Sequence, residues 1–489
     1  MTQPTAGIRE HMIINGEAVS TSEGQTIPVY NPATGQVIAQ QPEAGAAGVD
    51  QAVTAAHQAL QGDWASFLPV QREAVLLKLA DLMEQHADEL AHLETTNNGK
   101  LLSMAYGLDV YSGAQWLRYM AGWATKITGD TLNLSIPFPP NTGYQAYTTL
   151  EPVGVVAAIV PWNFPLLMAV WKLAPALATG CTIVLKPAEE TPLTAIRLAE
   201  LALEAGLPAG VFNVITGRGE NTGAALTAHP LVNKITFTGS TEVGRLIGAQ
   251  AGKDIKRVAL ELGGKSPVII FDDCNIDEAV AGAANAIFFN QGQVCTAGSR
   301  VYIQDGIYDQ VVEKIAQMAD EIVLGDGFDE KTKIAPLISA RQKERVEGYI
   351  KIAQEEGRKL TKNDELPTEG YFVRPTVFAD VGIEARVSQE EIFGPVLVAN
   401  RFSTEAEAIQ LANQTEYGLG AGIWTKNIDR MQRVTKAIKA GTVWVNTHNM
   451  LDPSMPFGGF KQSGVGREHG KDVILSYLEN KSICIAYEK

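Results

Sequence analysis

The stretch Val155-Val156-Ala157-Ala158-Ile159-Val160-Pro161-Trp162-Asn163-Phe164-Pro165 decides how the chain folds. Its first six residues are apolar and mostly β-branched, without polar alternation, as a strand buried on both faces requires. Pro161 and Pro165 then end the strand, flanking the amide of Asn163. Short β-rich apolar runs recur at 182–185, 211–215, 234–237 and 258–260, and the longer gaps carry helical patterns over 193–205 and 243–251. Strands separated by helical lengths predict βαβ crossovers and a parallel sheet covered on both faces. This is the architecture expected of a dinucleotide-binding domain.

Upstream, the first 125 residues read as mostly helical after a hairpin-like entry at 12–19 and a turn at Tyr30-Asn31-Pro32. Val49, Val53, Ala56 and Leu60 recur at helical spacing, as do Val75, Leu79, Leu82, Leu90 and Leu93. Downstream of Gly264 a second α/β pattern runs through 267–271, a long helix over 277–290, then 301–303, 308–322, 342–356 and 442–446. Two segments, 144–149 and 481–487, are short, extended and alternating, with Ile483, Ile485 and Tyr487 on one face. Such strands suit a sheet edge that pairs with another subunit, or else a hairpin within one subunit.

A chain of 489 residues exceeds one compact core, so two or three domains are expected. Forty basic against 55 acidic residues give a net charge of −15, which argues against a nucleic-acid partner. Residues 1–10 read as a polar tail, not a signal peptide. The most apolar stretch, 152–180, is interrupted by Pro161, Asn163, Pro165, Lys172 and Pro175, short of the ~20 apolar residues a bilayer crossing needs. A soluble, cytoplasmic protein with no membrane partner is expected. The four cysteines, at 181, 274, 295 and 484, form no CxxC and sit near no histidine pair, so neither a metal site nor a disulfide framework is expected.

One of those thiols could be a nucleophile. Cys295 lies in Asn290-Gln291-Gly292-Gln293-Val294-Cys295-Thr296, where a turn rich in glycine and glutamine would give a thiol access; alone, a cysteine is more commonly a small buried hydrophobe. Glu261 stands between leucines in Leu260-Glu261-Leu262-Gly263-Gly264, at the carboxyl end of an apolar run. Desolvation there would raise its pKa toward neutrality and suit a general base; the alternative is a salt-bridged acid. Asn163 could donate to an oxyanion, where losing one donor typically lowers the rate ~10²–10³-fold, or could merely cap a turn. Gly217–Gly223 has one residue too many for GxGxxG. Gly239-Ser240-Thr241-Glu242-Val243-Gly244 has P-loop spacing but lacks the Lys-Ser/Thr that follows in an NTPase. It follows a strand and opens a helix, so its N–H groups could cradle a pyrophosphate. An NTPase is disfavoured and a dinucleotide is not.

Together these segments resemble the aldehyde dehydrogenase superfamily over nearly the whole chain. The resemblance is carried by Pro161-Trp162-Asn163-Phe164-Pro165, Lys186-Pro187-Ala188-Glu189, Phe237 to Gly244, Leu260 to Gly264, the Cys295 loop, Glu391-Ile392-Phe393-Gly394-Pro395 and Pro456-Phe457-Gly458-Gly459. It implies an α/β fold of three parts: a Rossmann-like NAD-binding domain (1–128 and 151–262), a second α/β catalytic domain (263–464), and a small β oligomerisation arm with C-terminal strand (129–150 and 465–489). Members are usually homodimers or homotetramers. By motif position, Cys295 is the nucleophile, Glu261 the general base, and Asn163 with the Cys295 N–H the oxyanion hole. NAD would contact Ile159, Trp162, Lys186, Glu189, Gly239, Ser240, Gly244, Leu262, Glu391 and Phe393. Among these, Lys186 and Glu189 would hold the adenosine ribose, Gly239 to Gly244 the pyrophosphate, and Glu391 the nicotinamide ribose with Phe393 beside it.

The chemistry implied is thiolate attack on an aldehyde, hydride transfer to the nicotinamide, and hydrolysis of the resulting thioester by water that Glu261 activates. A carboxylate at Glu189 would meet a 2′-phosphate with like charge, so NAD is expected over NADP. Arg118-Tyr119-Met120-Ala121-Gly122-Trp123, the stretch 132–137 and Val445-Asn446-Thr447-His448 resemble the bacterial phenylacetaldehyde dehydrogenases of that superfamily. Phe164, Trp171, Phe289 and Phe457 fall where the family's substrate channel runs, and aromatic walls would suit an arylacetaldehyde. Aliphatic or amino-aldehydes are the alternative, and a catalytically dead binding relative is another. Met450 and Leu451 read equally as channel lining or loop packing.

Overall fold

In the computed structural model, which describes residues 8–20 and 25–489, the run at 155 is a strand over Val155–Ile159. Its alternate side chains enter two different cores, as the two-residue repeat of a strand dictates. Val155 and Ala157 pack with Val49 and Val53 of helix Gly45–Ala59, whereas Val156 and Ala158 pack with Leu166 and Val170 of helix Pro165–Thr179. Neither face meets water. The four other expected strands are present as Thr182–Lys186, Phe212–Val214, Lys234–Thr238 and Arg257–Glu261. All five are parallel, and in chain order they lie 3-2-1-4-5 across the sheet. The order reverses between Val155–Ile159 and Lys234–Thr238, which opens a crevice beyond their carboxyl ends. The hairpin Met12–Ile14/Glu17–Val19 closes one edge, and Gly464–Val465 closes the other.

A second sheet of seven strands contains Pro267–Ile270, Arg300–Gln304, Val396–Phe402, Gly420–Trp424 and Thr442–Val445, all parallel. Helices Ile276–Phe288, Tyr308–Glu321 and Ala340–Glu356 lie within a residue or two of their expected positions except where a 3₁₀ turn replaces the end of the first. The N-terminal region adds a hairpin, Thr26–Tyr30/Val37–Pro42, where the sequence promised only a turn. Residues 8–10 of the expected polar tail are irregular; residues 1–7 lie outside those described.

The arm differs from expectation. Strands Thr142–Pro152 and Leu478–Glu488 pair with each other, from Leu478↔Pro152 to Glu488↔Thr142, and Thr131–Leu132 joins the other side of Thr142–Pro152. The two segments therefore meet within one chain and not as a local hairpin, and Thr131–Leu132 pairs only with Tyr147 and Ala146 on the other side of Thr142–Pro152. The boundary at 465 also shifts. Val465 pairs with Leu260, and Val473 and Ile474 of helix Gly470–Ser476 are buried in the core that holds Pro165–Thr179. Residues 465–476 thus belong to the first sheet's layer, and the arm begins at Leu478. Every residue of Pro165–Thr179 is buried, which accounts for the apolar stretch. Among the described residues no helix is long and apolar enough to cross a membrane.

Candidate active site

A cleft of about 660 Å³ at the crevice is walled by strand ends of the first sheet and by loops and helices that flank the second. The Cys295 loop reaches it by an unusual path. After helix Ile276–Phe288, Asn290 (φ 46°), Gln291 (φ 57°) and Gly292 (φ 71°) are left-handed in succession. Side-chain residues resist that conformation, so surrounding bonds must hold it. The Asn290 amide donates to the Asn163 carbonyl at 3.1 Å, the Asn163 Nδ2 donates to the Gln293 carbonyl at 2.9 Å, and Gln293 Oε1 accepts from the Ile338 N–H at 3.0 Å. Two glycines make the approach possible. A Cβ on Gly292 would come within 2.2 Å of the Gly394 carbonyl, and one on Gly264 within 2.3 Å of the Cys295 carbonyl. Asn163 is therefore bound to the thiol's own loop, with one amide hydrogen engaged and the other free. Among the described residues no backbone carbonyl takes the Cys295 N–H.

Three groups of the cleft, Cys295, Glu261 and Glu391, are shifted toward their neutral forms. Burial first, then the carboxylates of Glu261 and Glu391, push the half-buried Cys295 thiol up to about 12. Burial, then the Glu468 carboxylate, hold Glu261 well above the usual carboxylate range, while Lys172 and Arg467 pull it down. Glu261 is 4% exposed, and its Oε2 has no hydrogen-bond partner among the described residues. An unpaired buried carboxyl keeps its proton readily. Beyond it, Lys172 on Pro165–Thr179 donates to Glu468 Oε1 at 2.5 Å in a buried ion pair. Burial raises Glu391 to about 7, although its Oε1 accepts the Gly264 N–H at 2.9 Å.

Of the residues expected to act, Trp162, Asn163, Phe164, Trp171, Gly239, Ser240, Glu261, Leu262, Phe289, Cys295, Glu391, Phe393 and Phe457 line the cleft. Ile159, Lys186, Glu189 and Gly244 lie outside its wall, on a shelf beside it. Ile159 and Lys186 are in register at the ends of neighbouring strands, and Lys186 Nζ stands 3.7 Å from Glu189 Oε2. Gly244 lies under Leu262, whose Cδ2 a Cβ would approach to 2.3 Å. Ser240 caps helix Thr241–Asp254, its Oγ accepting the Val243 N–H. A shelf ending in a carboxylate, a helix start and a half-buried Glu391 fits a dinucleotide.

The far end of the cleft is aromatic. Phe164 stacks on Phe289 at 6.2 Å, and Trp171 meets Phe457 edge-on at 5.8 Å. Sequence reasoning missed Trp116, stacked on Trp171 at 5.6 Å, because a tryptophan on an apolar helix face reads as core. It also missed Leu108 and Ser112 from the π-helical Ala105–Ser112, and Gln342 and Arg345 from Ala340–Glu356. Met450 and Leu451 are lining. The Lys172–Glu468 pair had one visible sign, a lysine inside an apolar run.

Comparison with known proteins agrees. The model of the aldehyde dehydrogenase family matches residues 19–483. A phenylacetaldehyde dehydrogenase of Pseudomonas fluorescens is 55% identical over 480 residues, covering 97% of this chain and 96% of that one. An aldehyde dehydrogenase from Bacillus cereus, solved as its NAD+ complex, is 46% identical with a TM-score of 0.94, covering 98% of this chain and 96% of that one. The chain belongs to the aldehyde dehydrogenase family.

Proposed function

We propose that the protein oxidises an arylacetaldehyde, phenylacetaldehyde foremost, to its carboxylate with NAD as coenzyme. The observation that carries this reading is the convergence of Cys295, Glu261 and Asn163 on one cleft whose far wall is aromatic. Lys186 and Glu189 would hold the adenosine ribose, Ser240 and the helix it caps the pyrophosphate, and Glu391 with Phe393 the nicotinamide ribose. NAD, when bound, supplies the hydride acceptor.

The chain's own residues do the rest. The Cys295 thiol gives its proton to solvent, the thiolate Sγ bonds to the carbonyl carbon as the C=O π pair moves onto oxygen, and the oxyanion accepts from the second Asn163 amide hydrogen and the Cys295 N–H. Loss of hydride leaves an acyl thioester on Cys295. Glu261, once ionised, takes a proton from water, the hydroxide adds to the thioester, and Cys295 departs as the acid forms. The aromatic wall and the 55% identical phenylacetaldehyde dehydrogenase support an arylacetaldehyde over an aliphatic substrate. The outer edge of Leu478–Glu488 supports assembly as a homodimer or homotetramer.

The test combines mass spectrometry of Glu261→Gln, mixed with phenylacetaldehyde and NAD, with wild-type kinetics. An acyl adduct on Cys295 and a kcat/KM for phenylacetaldehyde above that for hexanal are expected. A higher value for hexanal would overturn the substrate class, and an adduct elsewhere would overturn the nucleophile.

A further inference from the structure

We propose that His448 is a positioning residue that holds the Cys295 loop from behind, through the carbonyl of Thr296; this rests on Cys295 being the nucleophile. The 290–292 side of the loop is strapped by Asn163 and Ile338, as described above. The other side is held by the loop that follows strand Thr442–Val445, in which Asn446 (φ 55°) and Asn449 (φ 60°) are left-handed. Its outer residues, Asn449 to Leu451, wall the substrate end of the cleft. His448 is buried, and its Nε2 lies 2.9 Å from the Thr296 carbonyl oxygen. A carbonyl can only accept, so Nε2 carries the hydrogen and the tautomer is fixed. The adjacent residue makes a second strap, because Thr296 Oγ1 donates to Asn449 Oδ1 at 2.7 Å. The residue next to the thiol is therefore gripped at carbonyl and hydroxyl by two consecutive residues of the loop that carries the substrate wall.

The imidazole is not plain filling. An apolar side chain could occupy the same space without stranding an acceptor, yet Nδ1 is buried with no partner among the described residues. The surrounding fold makes room for this ring. A Cβ on Gly422 would come within 2.6 Å of Nδ1. The Trp444 ring packs at 4.8 Å, and its Nε1 donates to the Met450 carbonyl at 2.7 Å, which closes the loop on its other side. Burial lowers the histidine's pKa to about 4, so the donor is neutral and unchanged at working pH. Any substrate that presses on the 449–451 wall thus presses on the backbone carrying Cys295.

Replacing His448 by Leu and by Gln tests the assignment, since glutamine keeps an N–H that can reach the same carbonyl. The readouts are kcat and KM for aldehyde, NAD affinity by fluorescence titration, and iodoacetamide labelling of Cys295 against the exposed Cys484. His448→Leu is expected to lower kcat about tenfold or more, as an ångström-scale misplacement does, with NAD affinity unchanged. Labelling of Cys295 relative to Cys484 should rise as the loosened thiol becomes less buried. His448→Gln should recover most of both changes. An unchanged kcat in His448→Leu, or equal losses in the Leu and Gln variants, overturns the proposal. If His448→Leu does not fold, His448→Phe decides, since it keeps a ring and removes the N–H: a lowered kcat with raised Cys295 labelling supports the strap, and wild-type values overturn it. Should labelling of wild-type Cys295 leave turnover intact, the nucleophile reading fails, whatever the variants do.

Discussion

At the residue scale, the cleft holds a thiol whose charge is suppressed by burial and then by two carboxylates, Glu261 and Glu391. A thiol raised to about 12 is almost wholly protonated at neutral pH, so the empty enzyme should label slowly. Labelling of Cys295 by iodoacetamide should climb steadily between pH 7 and 10 without a plateau. Glu261→Gln removes the largest coulombic cause of that shift, so the variant should label faster than wild type at pH 8–9; slower labelling would count against the charge coupling. The same carboxylate must ionise before it can take a proton from water. Because its pKa is raised, its active fraction grows as pH rises, and deacylation should follow. Farther along the shelf, Glu189 accepts the Gly219 N–H at 2.6 Å beside the buried Lys186. Glu189→Ser removes the negative charge that a 2′-phosphate would meet, so the ratio of kcat/KM for NAD to that for NADP should fall. A ratio that stays constant would remove Glu189 from cofactor selection.

At the element scale, the channel wall leans on a buried charge cluster. Lys100 Nζ lies 2.7 Å from Asp109 Oδ2 and 3.4 Å from Glu94 Oε1, and 4.6 Å over the Phe164 ring. Asp109 sits in the π-helical Ala105–Ser112, and Glu94 also accepts from Thr194 and the Leu166 N–H. Lys100→Met leaves carboxylates buried without their cation, a change that typically destabilises by about 3–5 kcal/mol. Burial already raises the pKa of Asp109, so the folded state binds its proton more tightly than the unfolded state does. Stability from such a group is lost as pH rises through the folded value. The melting temperature of Lys100→Met should therefore fall further below wild type at pH 9 than at pH 6; an equal deficit would contradict this account. None of this cluster was legible in sequence, because each charge reads as solvated until its neighbours are known. The parallel strands were legible, since continuous apolar runs between helical lengths have few other uses. Cys295, Glu261 and Asn163 each left a bland reading open by local chemistry alone and were singled out together only by the family resemblance; the fold brings all three to one cleft.

At the scale of the whole molecule, what the sequence hid is mostly what distant segments do for one another. The register of Thr142–Pro152 against Leu478–Glu488 depends on no local pattern, and the sequence therefore left its partner open. Glu468, which fixes Lys172, lies equally far from it along the chain. Removing residues 478–488 should strand an eleven-residue edge and lower soluble yield, with larger species in sedimentation. A soluble, fully active truncation would show the pairing to be dispensable. The same connectivity sets a schedule for synthesis. Ribosomes release the C-terminus last, so a nascent chain can finish its nucleotide-type sheet and its thiol loop while Lys172 still lacks its counter-ion. A chain terminated between the thiol loop and Glu468 therefore carries Asn163, Glu261 and Cys295, yet leaves Lys172 without its counter-ion inside a buried helix.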